Sequence, residues 1–397
     1  MAAAPRFLHA SRCLLDVAIR GVAAVGGPIR RTLEDASLIA FDRLIDAAVD
    51  RDVDFLLLAG DTFRISDRSL RARLRVEAGL ARLSEAGIAT VAVCGPLDPA
   101  SAWFDLALPE DVSILTDRDD RCELEFESGR VEVVRIAADL PDARRDVQTV
   151  AVLPPSQDDE AGDLPSDLDP DAWDETDVDY LALPGDAAST LETRRTLQHT
   201  PGSLCPLTPR DLGAYGASVV ELHRGGPRLT TLELSPIECH EVTLPVDAET
   251  DIESLAEHMA SSLPTLDRED QAVVVTWRLE GSGPVLEDLA LAGTWDDLVE
   301  LADGGAQRVH RLDRRPATSE PDDIAALLVD ELEGYFETTE LETEQVISDV
   351  SHRELRQELA RTHKRLQADQ SLLARTRELA RLAVVDRCPA LWDREAA

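Results

Sequence analysis

Val53-Asp54-Phe55-Leu56-Leu57-Leu58-Ala59-Gly60-Asp61-Thr62-Phe63 is a nearly continuous apolar run that stops abruptly at Gly-Asp. A run apolar on both alternating faces predicts a strand buried between two layers. In open α/β sheets, ligand groups gather at the carboxyl ends of the strands. Asp61 stands where this strand leaves its sheet. It is therefore either a metal ligand or the cap of the segment that follows.

The flanking segments repeat one unit. Phe7-Leu8-His9 predicts a first strand, and residues 33–51 an amphipathic helix with Leu33, Leu38, Phe41, Leu44 and Ala48 at helical spacing. A second helix is expected over 68–87, ended by Gly87. Ile88–Cys94 predicts a third buried strand, followed by Gly95-Pro96-Leu97-Asp98-Pro99. Strand, helix, strand, helix, strand at this spacing is a βαβ pattern with a parallel sheet.

The chain has 397 residues, enough for two or three domains, and 44% hydrophobic residues mark it as globular. No apolar run is long enough for a membrane span. The start, Met1-Ala2-Ala3-Ala4-Pro5-Arg6, lacks the pattern of a signal peptide. Six cysteines (13, 94, 122, 205, 239 and 388) have no CxxC spacing. They fit free thiols in a reducing compartment, and a cytoplasmic location is expected. The net charge of −38 opposes non-specific DNA binding, which needs Lys and Arg to displace counterions. One lysine, Lys364, stands against 39 arginines, and the chain has no asparagine. That bias fits either salt adaptation or a GC-rich genome.

Further strands are expected at Val112–Leu115, Cys122–Phe126, Arg130–Ile136, Val147–Leu153, Tyr180–Leu183, Ala217–Leu222 and Leu229–Leu234. Residues 158–179 carry eleven acidic side chains and no basic one, so 156–179 reads as an exposed acidic loop. Pro236 marks a boundary. Residues 237–316 predict a small α+β unit with helices near 251–262 and 285–302. Residues 320–397 predict a helical tail with a leucine stripe (Leu355, Leu359, Leu366, Leu373) and flanking arginines. That stripe suits either a partner helix or packing on its own domain.

Phe7-Leu8-His9-Ala10, the helix at 33–51, the Asp54–Asp61 strand and the Gly87–Asp98 segment resemble those of the calcineurin-like metallophosphoesterases. The branch they are most similar to is that of the DNA-repair exonucleases of the SbcD and YhaO type. The resemblance covers about residues 6–236. It implies an α/β fold: a four-layer α/β/β/α sandwich with a small α+β capping domain and a helical C-terminal tail. It also implies two metals, usually manganese, at the strand ends, activating a water and clamping phosphate oxygens. The motifs that hold them are degenerate here. Asp-x-His reads Arg12-Cys13-Leu14, and Gly-Asn-His-Asp reads Gly95-Pro96-Leu97-Asp98. A later histidine aligns near Pro154-Pro155, and Gly-His-x-His falls in Pro184–Ala188. Only Gly60-Asp61 stands, with Asp98 as an outer carboxylate, so Asp61 and Asp98 are the residual metal candidates.

No histidine lies between His9 and His199, and His9 reads as a core residue. Asp16 would add a third carboxylate for a magnesium ion that keeps its waters. Arg12 opposes that by repulsion, and a salt bridge from Arg12 to Asp61 is the simpler expectation. Cys13 and Cys94 read as buried structural thiols. The main expectation is therefore a catalytically inactive relative with no cofactor, acting as scaffold or regulatory subunit for an SMC-like ATPase. A homodimer is a further partner option. One rival is an active manganese-dependent phosphodiesterase or nuclease. Another is an anion-binding module that uses the vacated cleft with Arg12 as anchor.

Overall fold

The computed structural model describes residues 4–22, 27–116, 120–136, 147–155, 178–193, 196–265, 271–281, 283–289, 291, 293–303 and 308–313. The acidic stretch 156–177 and the tail beyond 313 lie outside them. The first sheet is built from Arg6–Ala10 (β1), Phe55–Ala59 (β2), Ala89–Val93 (β3) and Val112–Leu115 (β4). These four run parallel. Two helices make the crossovers, Gly27–Asp50 (α1) and Leu70–Glu85 (α2), and a short helix, Ala100–Phe104 (α3), follows β3. The βαβ reading is thus the observed one.

The second sheet takes Arg121–Phe126 (β5), Gly129–Arg135 (β6), Gln148–Val152 (β7), Tyr180–Ala182 (β8), Ser189–Glu192 (β9) and Leu197–Thr200 (β10), in the order β5-β6-β7-β8-β10-β9. The chain then returns to the first sheet. Gly216–His223 (β11) pairs antiparallel with β1, and Gly226–Glu233 (β12) pairs with β11. The first sheet therefore reads β12-β11-β1-β2-β3-β4.

The pleat of β2 explains its sequence. Phe55, Leu57 and Ala59 face the second sheet with Phe7, Val91, Val133, Val150 and Tyr180. Leu56 and Leu58 face the helices with Phe41, Leu44, Val76 and Leu80. A strand covered on both sides has no polar face to present. Each such leucine, buried on either side, contributes roughly 1.5–3 kcal/mol. Helices, first sheet and second sheet make three layers. On the outer face of the second sheet, Val134, Ile136, Ala151, Leu153, Leu181 and Leu183 are also buried. No helix among the described residues supplies the expected fourth layer.

Helix α2 starts at Ser69, whose hydroxyl accepts from Ala72 N at 3.0 Å. A Cβ at Gly79 would stand 2.9 Å from Phe41 Cε1, so glycine lets α1 and α2 pack closely. Three ion pairs join their exposed sides: Arg71 to Asp35, Arg75 to Asp42 at 2.5 Å and Arg82 to Asp46 at 2.5 Å.

The described chain divides into two compact units. The second takes the described residues of 243–251, 278–289 and 313; the first takes the rest. Ile237–Val246 (β13), Ala272–Gly281 (β14) and Arg308–Asp313 (β15) form a three-stranded sheet. Ile252–Ser261 (α4) fulfils the helix expected near 251–262. The single helix expected over 285–302 is two, Pro284–Asp288 (α5) and Thr294–Ala302 (α6). Gly293, at φ 93, breaks the run and caps α6.

Candidate functional site

Five loops leave the sheets at the carboxyl ends of parallel strands: Ser11–Asp16 after β1, Gly60–Phe63 after β2, Cys94–Asp98 after β3, Leu153–Pro155 after β7 and Leu183–Ala187 after β8. The first two run side by side. Arg12 N donates to Gly60 O at 3.1 Å, Leu14 N to Asp61 O at 3.2 Å and Leu15 N to Thr62 O at 2.9 Å. Their backbones are unusual. Arg12 and Leu14 both sit at φ 44, Asp16 at φ 64 and Asp61 at φ 52. Residues other than glycine pay for such left-handed conformations, and they persist only where surrounding bonds fix them.

Asp98 supplies much of that fixing. It is fully buried, and its carboxylate accepts from Gly95 N at 2.8 Å, Asp61 N at 3.0 Å and Thr62 N at 2.8 Å. Its role is to clasp the ends of β2 and β3. Burial pushes its pKa up to about 7, while the amides of Thr62 and Gly95 pull the other way.

Asp61 is 2% exposed. One oxygen accepts from Leu97 N at 3.0 Å and the other from Arg12 Nη1 at 3.0 Å. Burial raises its pKa; the Leu97 amide, Arg12 and Arg64 oppose that rise. The salt bridge expected between Arg12 and Asp61 is present. Arg12 does more than that, because its Nε forms a second ion pair with Asp186. A Cβ at Gly95 would run into the Asp61 carboxylate, so only glycine fits there. A Cβ at Gly60 would lie 2.5 Å from Pro155 Cδ, which places that proline against the β2 loop.

The other positions singled out in the sequence fall as follows. Leu14 and Cys13 are buried, Cys13 in the helix-side core. Pro96 and Leu97 are half-buried on the β3 loop, and Leu97 acts through its amide. Asp16 is turned away: Ser69 Oγ donates to it at 2.5 Å and Arg71 pairs with it at 3.3 Å. Asp186, within the segment aligned on the last motif, meets Arg12, and nothing local in the sequence signals that contact. Deeper between the sheets, His9 Nδ1 lies 2.8 Å from Tyr180 Oη, and its ring centroid is 6.0 Å from that of His199. His199 bonds Thr190 and Ser218, both at 2.8 Å. Burial lowers the pKa of both histidines, that of His199 to about 4. His9 is a core residue, as expected.

The residues present do not fit a two-metal centre. Both oxygens of Asp61 and both of Asp98 already accept protein donors, and Asp186 is paired to Arg12. Among the described residues, no three His, Cys, Asp or Glu side chains come together as a metal set. Nor is any described helix long and apolar enough to cross a membrane.

No family model matches the chain. Over 125 residues it is 34% identical to the "Uncharacterized metallophosphoesterase YhaO" of Bacillus subtilis, a match spanning 31% of each protein. Among solved structures, it is similar to TT1561 of Thermus thermophilus (TM-score 0.34, 14% identity, 57% of this chain and 99% of that one). A dimetal phosphatase from Danio rerio gives TM-score 0.35 and 9% identity over 58% of this chain and 99% of its own. The E. coli phosphoesterase Yfce gives 0.28 and 11% over 57% and 98%. The chain is thus similar to a metallophosphoesterase in sequence over about a third of its length, and its own fold is mixed α/β.

Proposed function

We propose that this chain is a catalytically silent relative of the DNA-repair exonuclease branch of metallophosphoesterases, retained as a scaffold or regulatory subunit. One observation carries the reading. Both oxygens of Asp61 and of Asp98 already accept from Arg12 or backbone amides, and Asp186 is ion-paired with Arg12. A two-metal phosphoesterase needs carboxylate, imidazole and amide oxygen or nitrogen atoms free to coordinate, and an open position for the attacking water. Here the cation in the centre is a guanidinium, which offers no coordination site for water.

The partner we propose is an SMC-like ATPase, bound through residues 320–397. The resemblance and the leucine stripe of that tail support this, and the net charge of −38 argues against direct DNA binding. The location proposed is the cytoplasm. The test is metal analysis of the purified full chain together with a nuclease assay in manganese. We expect no tightly bound metal and no cleavage. Manganese-dependent cleavage that disappears in Asp61→Ala would establish the active reading instead. Deleting residues 320–397 is expected to abolish co-purification with the ATPase while leaving the remaining fold intact.

A further inference from the structure

We infer that Arg12 is the resident cation of the strand-end centre, doing the structural work of a metal without its chemistry. The inference rests on the proposal that no catalytic metal binds and adds what stands in its place. Three loops from both sheets converge on this one side chain. Arg12 itself belongs to the loop after β1, Asp61 to the loop after β2 and Asp186 to the loop after β8. The planar guanidinium reaches the two carboxylates with different nitrogens, Nη1 to Asp61 and Nε to Asp186. Arg12 is 21% exposed and Asp61 only 2%, so water shields the pair weakly.

Without a positive charge between them, Asp61 and Asp186 would face each other as like charges. The backbone adds a second line of support. Arg12 and Leu14 hold left-handed conformations that a free loop would abandon. The Arg12 side chain pins that loop to both neighbours, as a bridging metal would. A metal also lowers the pKa of a bound water and generates a nucleophile; a guanidinium does not. The substitution therefore keeps the architecture while leaving out the reaction.

Thermal melts of the full chain in EDTA and in manganese chloride test this. The wild type should melt at the same temperature in both. Arg12→Met should melt lower in EDTA, by on the order of 5–10 °C, because two carboxylates lose their shared partner. Manganese should restore at least half of that loss. Arg12→Lys, which keeps the charge but loses the two-nitrogen fork, should melt between the wild type and Arg12→Met. The double variant Arg12→Met with Asp186→Asn should melt above Arg12→Met in EDTA and ignore manganese. If Arg12→Met does not fold, the lysine and double variants decide. The inference is overturned if Arg12→Met melts with the wild type, if manganese leaves it unchanged, if Arg12→Lys is as unstable as Arg12→Met, or if the double variant still responds to manganese. Manganese bound by the wild type would sink the proposed function as well. A metal-free wild type beside an unresponsive Arg12→Met would sink only the inference.

Discussion

Arginine meets aspartate twice in this chain, under opposite conditions. On the α1–α2 surface, Arg71, Arg75 and Arg82 pair with Asp35, Asp42 and Asp46, with all six side chains well exposed. At the strand ends, Arg12 pairs with a buried Asp61 and a half-buried Asp186. The chemistry is the same and the surroundings differ. In water each exposed pair is worth about 0–1 kcal/mol and weakens as salt screens it. Out of water, removing one partner costs about 3–5 kcal/mol, because the other charge is left stranded. The acidic chain uses arginine on its surface to offset local repulsion and in its centre to set geometry.

The largest break in that contrast should come from Asp98, which holds the centre through amides alone. Asp98→Ala strips three buried N–H groups of their acceptor. At about 1–3 kcal/mol for each orphaned donor, urea unfolding should show a loss of about 3–9 kcal/mol. A loss below 1 kcal/mol would mean that the clasp does not hold the loops.

A smaller effect, about 2 kcal/mol between pH 7 and 5, concerns pH. His199 has a folded pKa of about 4, well below its unfolded value. Stability from its neutral form is complete above about pH 6.5 and drains away as pH falls toward 4. Asp98 works oppositely, since a raised folded pKa favours the folded state as pH drops below 7. Comparing His199→Gln with the wild type cancels the Asp98 contribution. The wild type should lose more stability than the variant between pH 7 and 5, read as a difference in urea midpoints.

Gly95→Ala should cost about 1–3 kcal/mol, since its Cβ meets the Asp61 carboxylate and the β3 loop must shift. The smallest change belongs to the surface. Arg75→Gln should cost less than about 0.5 kcal/mol at low salt and nothing measurable in molar salt. If Arg75→Gln instead matched Arg12→Met, the contrast between the two regions would be false.

Much of this was legible in the sequence where periodicity or composition decides. Phe55–Ala59 had to be a strand buried on both faces, and α1 and α2 followed from apolar spacing. The Arg12–Asp61 pair was legible too, since both residues stand at strand ends of one sheet. What was not legible depends on the second sheet reaching the first. Asp186 and Arg12 are far apart in the chain, and nothing local signals that β8 delivers one beside the other. The same holds for His9 and His199, which meet only because β1 and β10 face each other. The left-handed turns at Arg12 and Leu14 were also hidden, because neither residue type favours them.

The Asp98 clasp has a consequence for motion. The amides of Asp61, Thr62 and Gly95 all point at one carboxylate, and those of Arg12 and Leu14 bond the same β2 loop. None of these can be exposed to solvent alone. In hydrogen–deuterium exchange they should behave as one foldon, sharing a single opening rate, rather than fraying residue by residue.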